Sequence, residues 1–190
     1  KSKSITILSS SPRRVYNLES FIKNYLPFNS EQVLFENIRG NIPSRFKKFL
    51  EGSGDGLIMA KAAIDRLLNN NINELQKISK LMKENINKCL WTITPLSQNP
   101  TSPGQGALGI EVRCDNLKVI NMIKSISDQK TLECVNHERK ILTEYGGGCH
   151  QKIGVSFFPT IFGLMKSTKG EIDDGEQFYS WKQIQSMHTN

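Results

Sequence analysis

The stretch ITILSSSPRRVYNL, residues 5–18, decides the fold. Ile5–Leu8 is a short apolar run rich in β-branched side chains, the signature of a strand. Three serines follow, then a proline. Ser11 suits a helix N-cap and Pro12 the first helical position, where a missing N–H costs nothing. Val15, Leu18, Phe21, Ile22 and Tyr25 then recur at helical spacing. A strand over Ser4–Leu8 therefore runs through a tight turn into a helix.

Working outward, the arrangement repeats. Gln32–Phe35 reads as a second strand, and NIRGNIPSRF (37–46) turns through Gly40 into a helix opened by Pro43. Ile42, Phe46, Phe49 and Leu50 mark that helix, and Gly56–Met59 reads as a third strand. Strands alternating with helices at this density predict a small parallel sheet with crossover helices. A further helix is predicted over Asn73–Ile86, with Leu75, Ile78, Leu81 and Met82 on one face.

Each helix start carries cations where the macrodipole disfavours them. Arg13 and Arg14 fall in the first turn of one helix, and Arg39 and Arg45 flank the start of the other. In a parallel sheet these turns share one edge, the edge where ligands bind. Four guanidinium groups there, beside backbone N–H donors, suit a carboxylate ligand, because the planar fork takes carboxylates bidentately. Solvated arginines tolerating a small penalty remain the plainer alternative.

The 190 residues carry a net charge of +7, which favours anionic partners. Nucleic acid is disfavoured: aromatics are not interleaved with the arginines, and no helix carries a basic stripe. No apolar run is long enough to span a membrane. Cys89, Cys114, Cys134 and Cys149 show neither paired nor metal-ligand spacing, so no metal site and a reducing, cytoplasmic setting are expected.

Beyond residue 93 the chain changes character. TPLSQNPTSPGQGALGIEVR (94–113) holds three of the seven prolines and three glycines; it reads as a hinge followed by a strand over Ala107–Val112. Helices are expected near Asn116–Ser127 and Gln129–Tyr145, then the strand KIGVSFF (152–158). The tail from Lys166 reads as polar, with KGEIDDGEQ (169–177) as a hairpin turn or loop. Between helix and strand lies YGGGCHQKIG (145–154), a cysteine behind three glycines. The glycines serve as a helix C-cap or clear space around a reactive thiol, and the stretch alone leaves both readings open.

Taken together and in order, SSSPRR, IRGNIPSRFKKFLEG, DGLIMAKAAIDRL, PGQGALGIEVR and HERKILTEYGGGCHQKIGV resemble the hydroxymethylbilane synthase (porphobilinogen deaminase) family from about Ile5 to Ser156. The resemblance implies a transferase that links four porphobilinogen units into a linear tetrapyrrole with release of ammonia. It also implies a dipyrromethane cofactor held by a thioether to Cys149. Arg13, Arg14, Arg39 and Arg45, with Ser10 and Ser11, match positions that bind the ring acetates and propionates. Arg66 matches a further arginine, with a helix-end cap as an equal reading, and Gln105 and Gly106 match the hinge near the cofactor. Pro12 departs from the usual aliphatic residue before the arginine pair.

A larger departure concerns the general acid. The resemblance implies a preceding lobe whose aspartate, in a His-Ser-x-Lys-Asp type motif, protonates the leaving amine. These 190 residues contain no such motif, and Glu36 and Asp55, the acids nearest the predicted edge, do not match its position. The expectation is thus an α/β chain: a small parallel-sheet lobe of periplasmic-binding-protein-like type plus a partial α+β C-terminal domain. Its parts are a central lobe over 1–95, a hinge and a strand returning to the absent first lobe over 96–113, and a cysteine-bearing domain over 114–190. As a fragment it would be inactive alone, its partners being porphobilinogen, the growing tetrapyrrole, and a missing N-terminal lobe or downstream pathway enzyme. The competing expectation is a non-catalytic two-lobed module binding a small polycarboxylate anion; the thiol on the glycine turn argues against it.

Overall fold

The computed structural model describes residues 4–25, 32–69, 76–146 and 151–184. It divides into two compact units, Lys1–Asn99 and Pro100–Asn190. The division falls inside the proline-rich stretch.

In the first unit the order is β1 (Ser4–Leu8), α1 (Pro12–Tyr25), β2 (Gln32–Glu36), α2 (Ile42–Lys48), β3 (Gly56–Leu57), α3 (Lys61–Leu68) and α4 (Gln76–Ile86). The three strands form one parallel sheet with β1 in the middle, flanked by β2 and β3. Ile5 pairs with Val33, Ile7 with Phe35 and Leu8 with Leu57. The chain leaves β1 towards one side and returns on the other, so its winding reverses at β1. The loops after β1 and β3 therefore border the crevice where open α/β sheets hold ligands.

Local chemistry accounts for these elements. Ser11 Oγ accepts the backbone N–H of Arg14 (3.4 Å), and Asn41 Oδ1 accepts that of Ser44 (2.9 Å), so both crossover helices begin on a side-chain cap. Leu8, Leu18, Val33, Phe46 and Met82 are buried, drawing β1, α1, β2, α2 and α4 into one core. Lysines on exposed helix faces pair four residues apart, Lys23 with Glu19 (2.8 Å) and Lys61 with Asp65 (2.6 Å). Such pairs add only a few tenths of a kcal/mol, about 0.3–0.5 each. Past Lys48, α2 widens into a π-type turn over Phe49–Ser53. Of the helix expected from Asn73, residues 73–75 lie outside the described residues.

The second unit holds α5 (Leu117–Lys124), α6 (Gln129–Glu144) and three antiparallel strands in the order β4 (Gly154–Thr160), β5 (Gly163–Glu171), β6 (Gln177–Ile184). Asp128 Oδ1 caps α6 by accepting the N–H of Thr131 (2.7 Å). Ile141 of α6 packs on Ile153, Val155 and Phe157, and Tyr145 stacks on Phe178 with ring centroids 4.3 Å apart.

Two stretches bear on the expectations drawn from the sequence. The polar tail forms two paired strands over 163–171 and 177–184, and KGEIDDGEQ holds the end of the first, the hairpin turn closed by Ile172 N–H to Glu176 O (3.0 Å), and the start of the second. Hydrogen bonding to β4 and β5 supplies what the polar side chains hid. Conversely, Ala107–Val112 alternates like a strand but pairs with none of the described strands, and Leu108 is 80% and Ile110 57% exposed. A strand needs a ladder partner, and this stretch has none among the described residues.

Candidate anion site and cysteine turn

The site in the first unit is built from the turns that follow the three parallel strands. Ser9 N–H donates to Glu36 O (2.8 Å), which ties the end of β1 to the end of β2. Ser10 extends the tie: its Oγ accepts Ile38 N–H (2.9 Å) and donates to Ile38 O. Both polar backbone groups of a buried residue are thereby satisfied by one hydroxyl. Ser10 thus joins the two arginine-bearing turns.

The turn through residues 38–41 is clamped further. Arg45 Nε donates to Gly40 O (2.7 Å), and Lys48 Nζ reaches Arg39 O (3.1 Å). Gly40 has φ +121°, and a Cβ there would sit 3.1 Å from Ser44 Cβ, so only glycine suits the turn. Arg39 lies exposed on this braced loop.

Arg13 is the deepest cation, 4% exposed, with Nη1 donating to Asn99 Oδ1 (3.1 Å). Burial, then the neighbouring charge of Arg14, pushes its guanidinium down to about 10. Arg14 is also lowered, by burial first and the charge of Arg45 second, while its Nη1 approaches Ile58 O in the loop after β3 (3.5 Å). Arg14 thus stands close enough to Arg13, and Arg45 close enough to Arg14, for their charges to be felt. Cations gathered at a loss of stability are relieved by an anion.

Other predicted residues fall elsewhere. Arg66 is exposed in the last turn of α3. Gln105 and Gly106 belong to the second unit, in a turn where Gln105 N–H donates to Ser102 O (3.0 Å) and Gly106 has φ +97°. Cys149, with Gly147, Gly148 and His150, lies outside the described residues. Around it, Gly146 takes φ +88° and donates to Thr143 O (3.1 Å), so the first glycine is the helix cap. Gln151 Nε2 donates to Tyr145 O (3.0 Å) and closes the base of the turn.

Of the two acids named from the sequence, Asp55 is engaged by the sheet. Asp55 accepts Thr6 N–H through Oδ2 (2.8 Å) and donates its own N–H to Thr6 O (2.8 Å), extending the edge of the sheet. Among the described residues no cluster of His, Cys, Asp or Glu could hold a metal, and no helix is long and apolar enough to cross a membrane. Burial raises the Cys134 thiol, with the Glu138 charge adding to it, so Cys134 is a poor nucleophile.

Sequence reasoning missed two residues. Asn99 orients Arg13 from 86 positions away, and nothing local announces it. Glu138, 7% exposed, accepts Gly104 N–H through Oε2 (2.7 Å) and Phe157 N–H through Oε1 (2.8 Å). Its signal was legible: an acid standing on the apolar face of a helix, between Cys134 and Ile141.

Comparison with known proteins gives these sites a family. The model described as "Porphobilinogen deaminase, dipyromethane cofactor binding domain" matches residues 1–121, well over half of the chain. The chain belongs to the porphobilinogen deaminase family. A probable porphobilinogen deaminase of Sulfurisphaera tokodaii is 34% identical over 135 residues, 71% of this chain and 40% of that protein. The porphobilinogen deaminase of Chlorobaculum parvum is 35% identical over 130 residues, 68% of this chain and 36% of its own length. A probable porphobilinogen deaminase of Ignicoccus hospitalis is 30% identical over 157 residues, 82% of this chain and 42% of its own. The chain thus spans about two fifths of the length of the curated relatives it matches. The matched domain includes every arginine of the cluster and ends before Cys149.

The donor set fits the family's cofactor. A pyrrole chain rich in acetates and propionates needs paired, rigid guanidinium groups, and this unit offers Arg13 beside Arg14, Arg45 near Arg14, and Arg39 on a braced turn.

Proposed function

We propose that the full-length protein containing this chain is a hydroxymethylbilane synthase, joining four porphobilinogen units with loss of ammonia. The observation that carries the proposal is buried Arg13 beside half-buried Arg14, which in turn neighbours Arg45, inside a porphobilinogen deaminase domain.

Dipyrromethane, when bound, supplies the pyrrole end that each incoming ring extends. Cys149 holds it by a thioether. Arg13, Arg14, Arg39 and Arg45 take its carboxylates, and Ser11 and the adjoining backbone N–H groups add donors at the helix start. Charge compensation in so dry a site is worth more than on the surface, so it fixes ring orientation as well as affinity. Ser10 positions rather than binds, since Ile38 uses both roles of its hydroxyl. Arg66, Gln105 and Gly106 complete the assignment as secondary contacts.

At each step a carbon–carbon bond forms to the growing chain, the aminomethyl carbon loses its amine as ammonia, and a pyrrole proton is released. We assign that proton transfer to no residue of this chain, because Asp55 is occupied by the sheet. The residues 1–95 serve as one lobe of a periplasmic-binding-protein-like pair, 96–113 as the hinge and 114–190 as the cysteine-bearing domain. Exposed Leu108 and Ile110 support reading 107–112 as a strand that completes another sheet. We place the protein in the cytoplasm, in keeping with cysteines of unpaired spacing. Nothing favours the non-catalytic binding module.

The test is turnover of porphobilinogen by the full-length protein, with Arg39→Leu alongside. Wild-type protein should release ammonia stoichiometrically, and Arg39→Leu should fold yet lose at least about tenfold in kcat/KM, as for a lost charge-assisted contact. Wild-type protein that consumes no porphobilinogen rejects the assignment; Arg39→Leu with unchanged turnover removes that residue from the site.

A further inference from the structure

β4 lies at one edge of its sheet, paired only with β5. The outer N–H groups of such an edge need partners. Val155 N–H finds Thr101 O (2.8 Å), and two residues on, Phe157 N–H finds Glu138 Oε1 (2.8 Å). The segment leading into the Gln105–Gly106 turn is pressed onto the same edge: Thr101 N–H donates to Ser156 Oγ (2.7 Å), and Gly154 leaves no room for a Cβ against Pro100. Glu138 closes this arrangement with its second oxygen, which accepts Gly104 N–H (2.7 Å).

One carboxylate therefore touches three things. It stands on α6, whose end leads into the cysteine turn. It grips β4, which begins five residues after Cys149. It also holds the turn carrying Gln105 and Gly106. A carboxylate suits the task because it only accepts, and both partners are donors. Burying it has a cost, seen in a carboxyl raised by burial despite both hydrogen bonds.

Resting on the reading of the full-length protein as a hydroxymethylbilane synthase, we infer that Glu138 is a positioning residue. It fixes the Gln105–Gly106 turn to the frame that carries Cys149, so that the hinge side of the cofactor site keeps one geometry through successive additions. Glutamine at this position keeps one acceptor but turns an N–H towards the other donor, and one of the two grips is lost.

The experiment uses full-length protein, wild type and Glu138→Gln, with three readouts. Amide exchange should show Gly104 and Phe157 protected in the wild type. Below its melting transition, Glu138→Gln should raise KM for porphobilinogen about tenfold, the scale of one buried hydrogen bond, with a smaller change in kcat. The purified variant should also carry the dipyrromethane adduct on a smaller fraction of Cys149. Wild-type KM and full adduct in a folded Glu138→Gln overturn the inference, however far its melting temperature falls. Should the variant not fold, a Gly104 amide exchanging at the open-chain rate in folded wild-type protein overturns it instead, and protection at Gly104 upholds the clamp. Amide exchange needs no turnover, so an inactive wild type would reject the function and leave the clamp decided separately.

Discussion

Replacing Arg13 by methionine in the full-length protein separates a binding arginine from a structural one. The side chain is 4% exposed, and its surroundings hold the guanidinium near 10, well below its ordinary value. That difference corresponds to roughly 3 kcal/mol against the charged form. The sign follows from the direction. Because the folded value lies below the unfolded one, the penalty is fully present at neutral pH and fades only as pH rises through about 10 towards the unfolded value. Methionine removes it. What is lost in exchange includes the bond to Asn99 Oδ1, worth about 1–2 kcal/mol, while an apolar chain still fills the space. The ligand-free variant should therefore melt no lower than wild type, and by this balance slightly higher. Substrate handling should move the opposite way, with kcat/KM down by about tenfold to a thousandfold as a buried ionic contact to a carboxylate disappears. Differential scanning calorimetry of the ligand-free protein, paired with porphobilinogen turnover, measures both. A variant that melts many degrees lower and keeps wild-type kcat/KM would refute the reasoning, because Arg13 would then be holding the fold and not an anion.

Other outcomes follow from the same geometry. Ser10→Ala leaves the N–H and C=O of buried Ile38 without their hydroxyl, so unfolding free energy should drop by about 1–3 kcal/mol in urea titration, and a change below about 0.5 would mean that the tie is idle. Glu138, whose carboxyl is raised by burial, should make stability fall as pH climbs from its unfolded value through its folded one. Glu138→Gln should flatten that slope in melts recorded across mildly acidic pH; an identical slope in both proteins would assign the titration to another group.

The first unit was readable because its signals are local. Ser11 and Pro12 open α1, Asn41 and Pro43 open α2, and the runs at Ser4–Leu8 and Gln32–Glu36 are short, apolar and bounded by turns. The convergence of Arg13, Arg14 and Arg45 followed from parallel topology alone, since every crossover brings a helix start to the same edge. What escaped notice depends on distant partners. LMKSTKGE at 164–171 looks polar, yet Ser167 and Thr168 are buried in β5 because β4 and β6 pair on both sides. GALGIEV reads as a strand by alternation and forms none, because pairing is a property of two segments. Asn99 and Glu138 act across 86 and 34 positions, beyond the reach of any window along the chain.

The covalent state of the GGC thiol bears most directly on the whole account. Intact-mass and peptide analysis of full-length protein, purified without added substrate, should find the peptide containing Cys149 heavier by one dipyrromethane, and Cys149→Ser should abolish both that mass and turnover. A protein that makes tetrapyrrole while the Cys149 peptide keeps its unmodified mass would contradict the account, and so would an adduct on Cys89, Cys114 or Cys134 in its place.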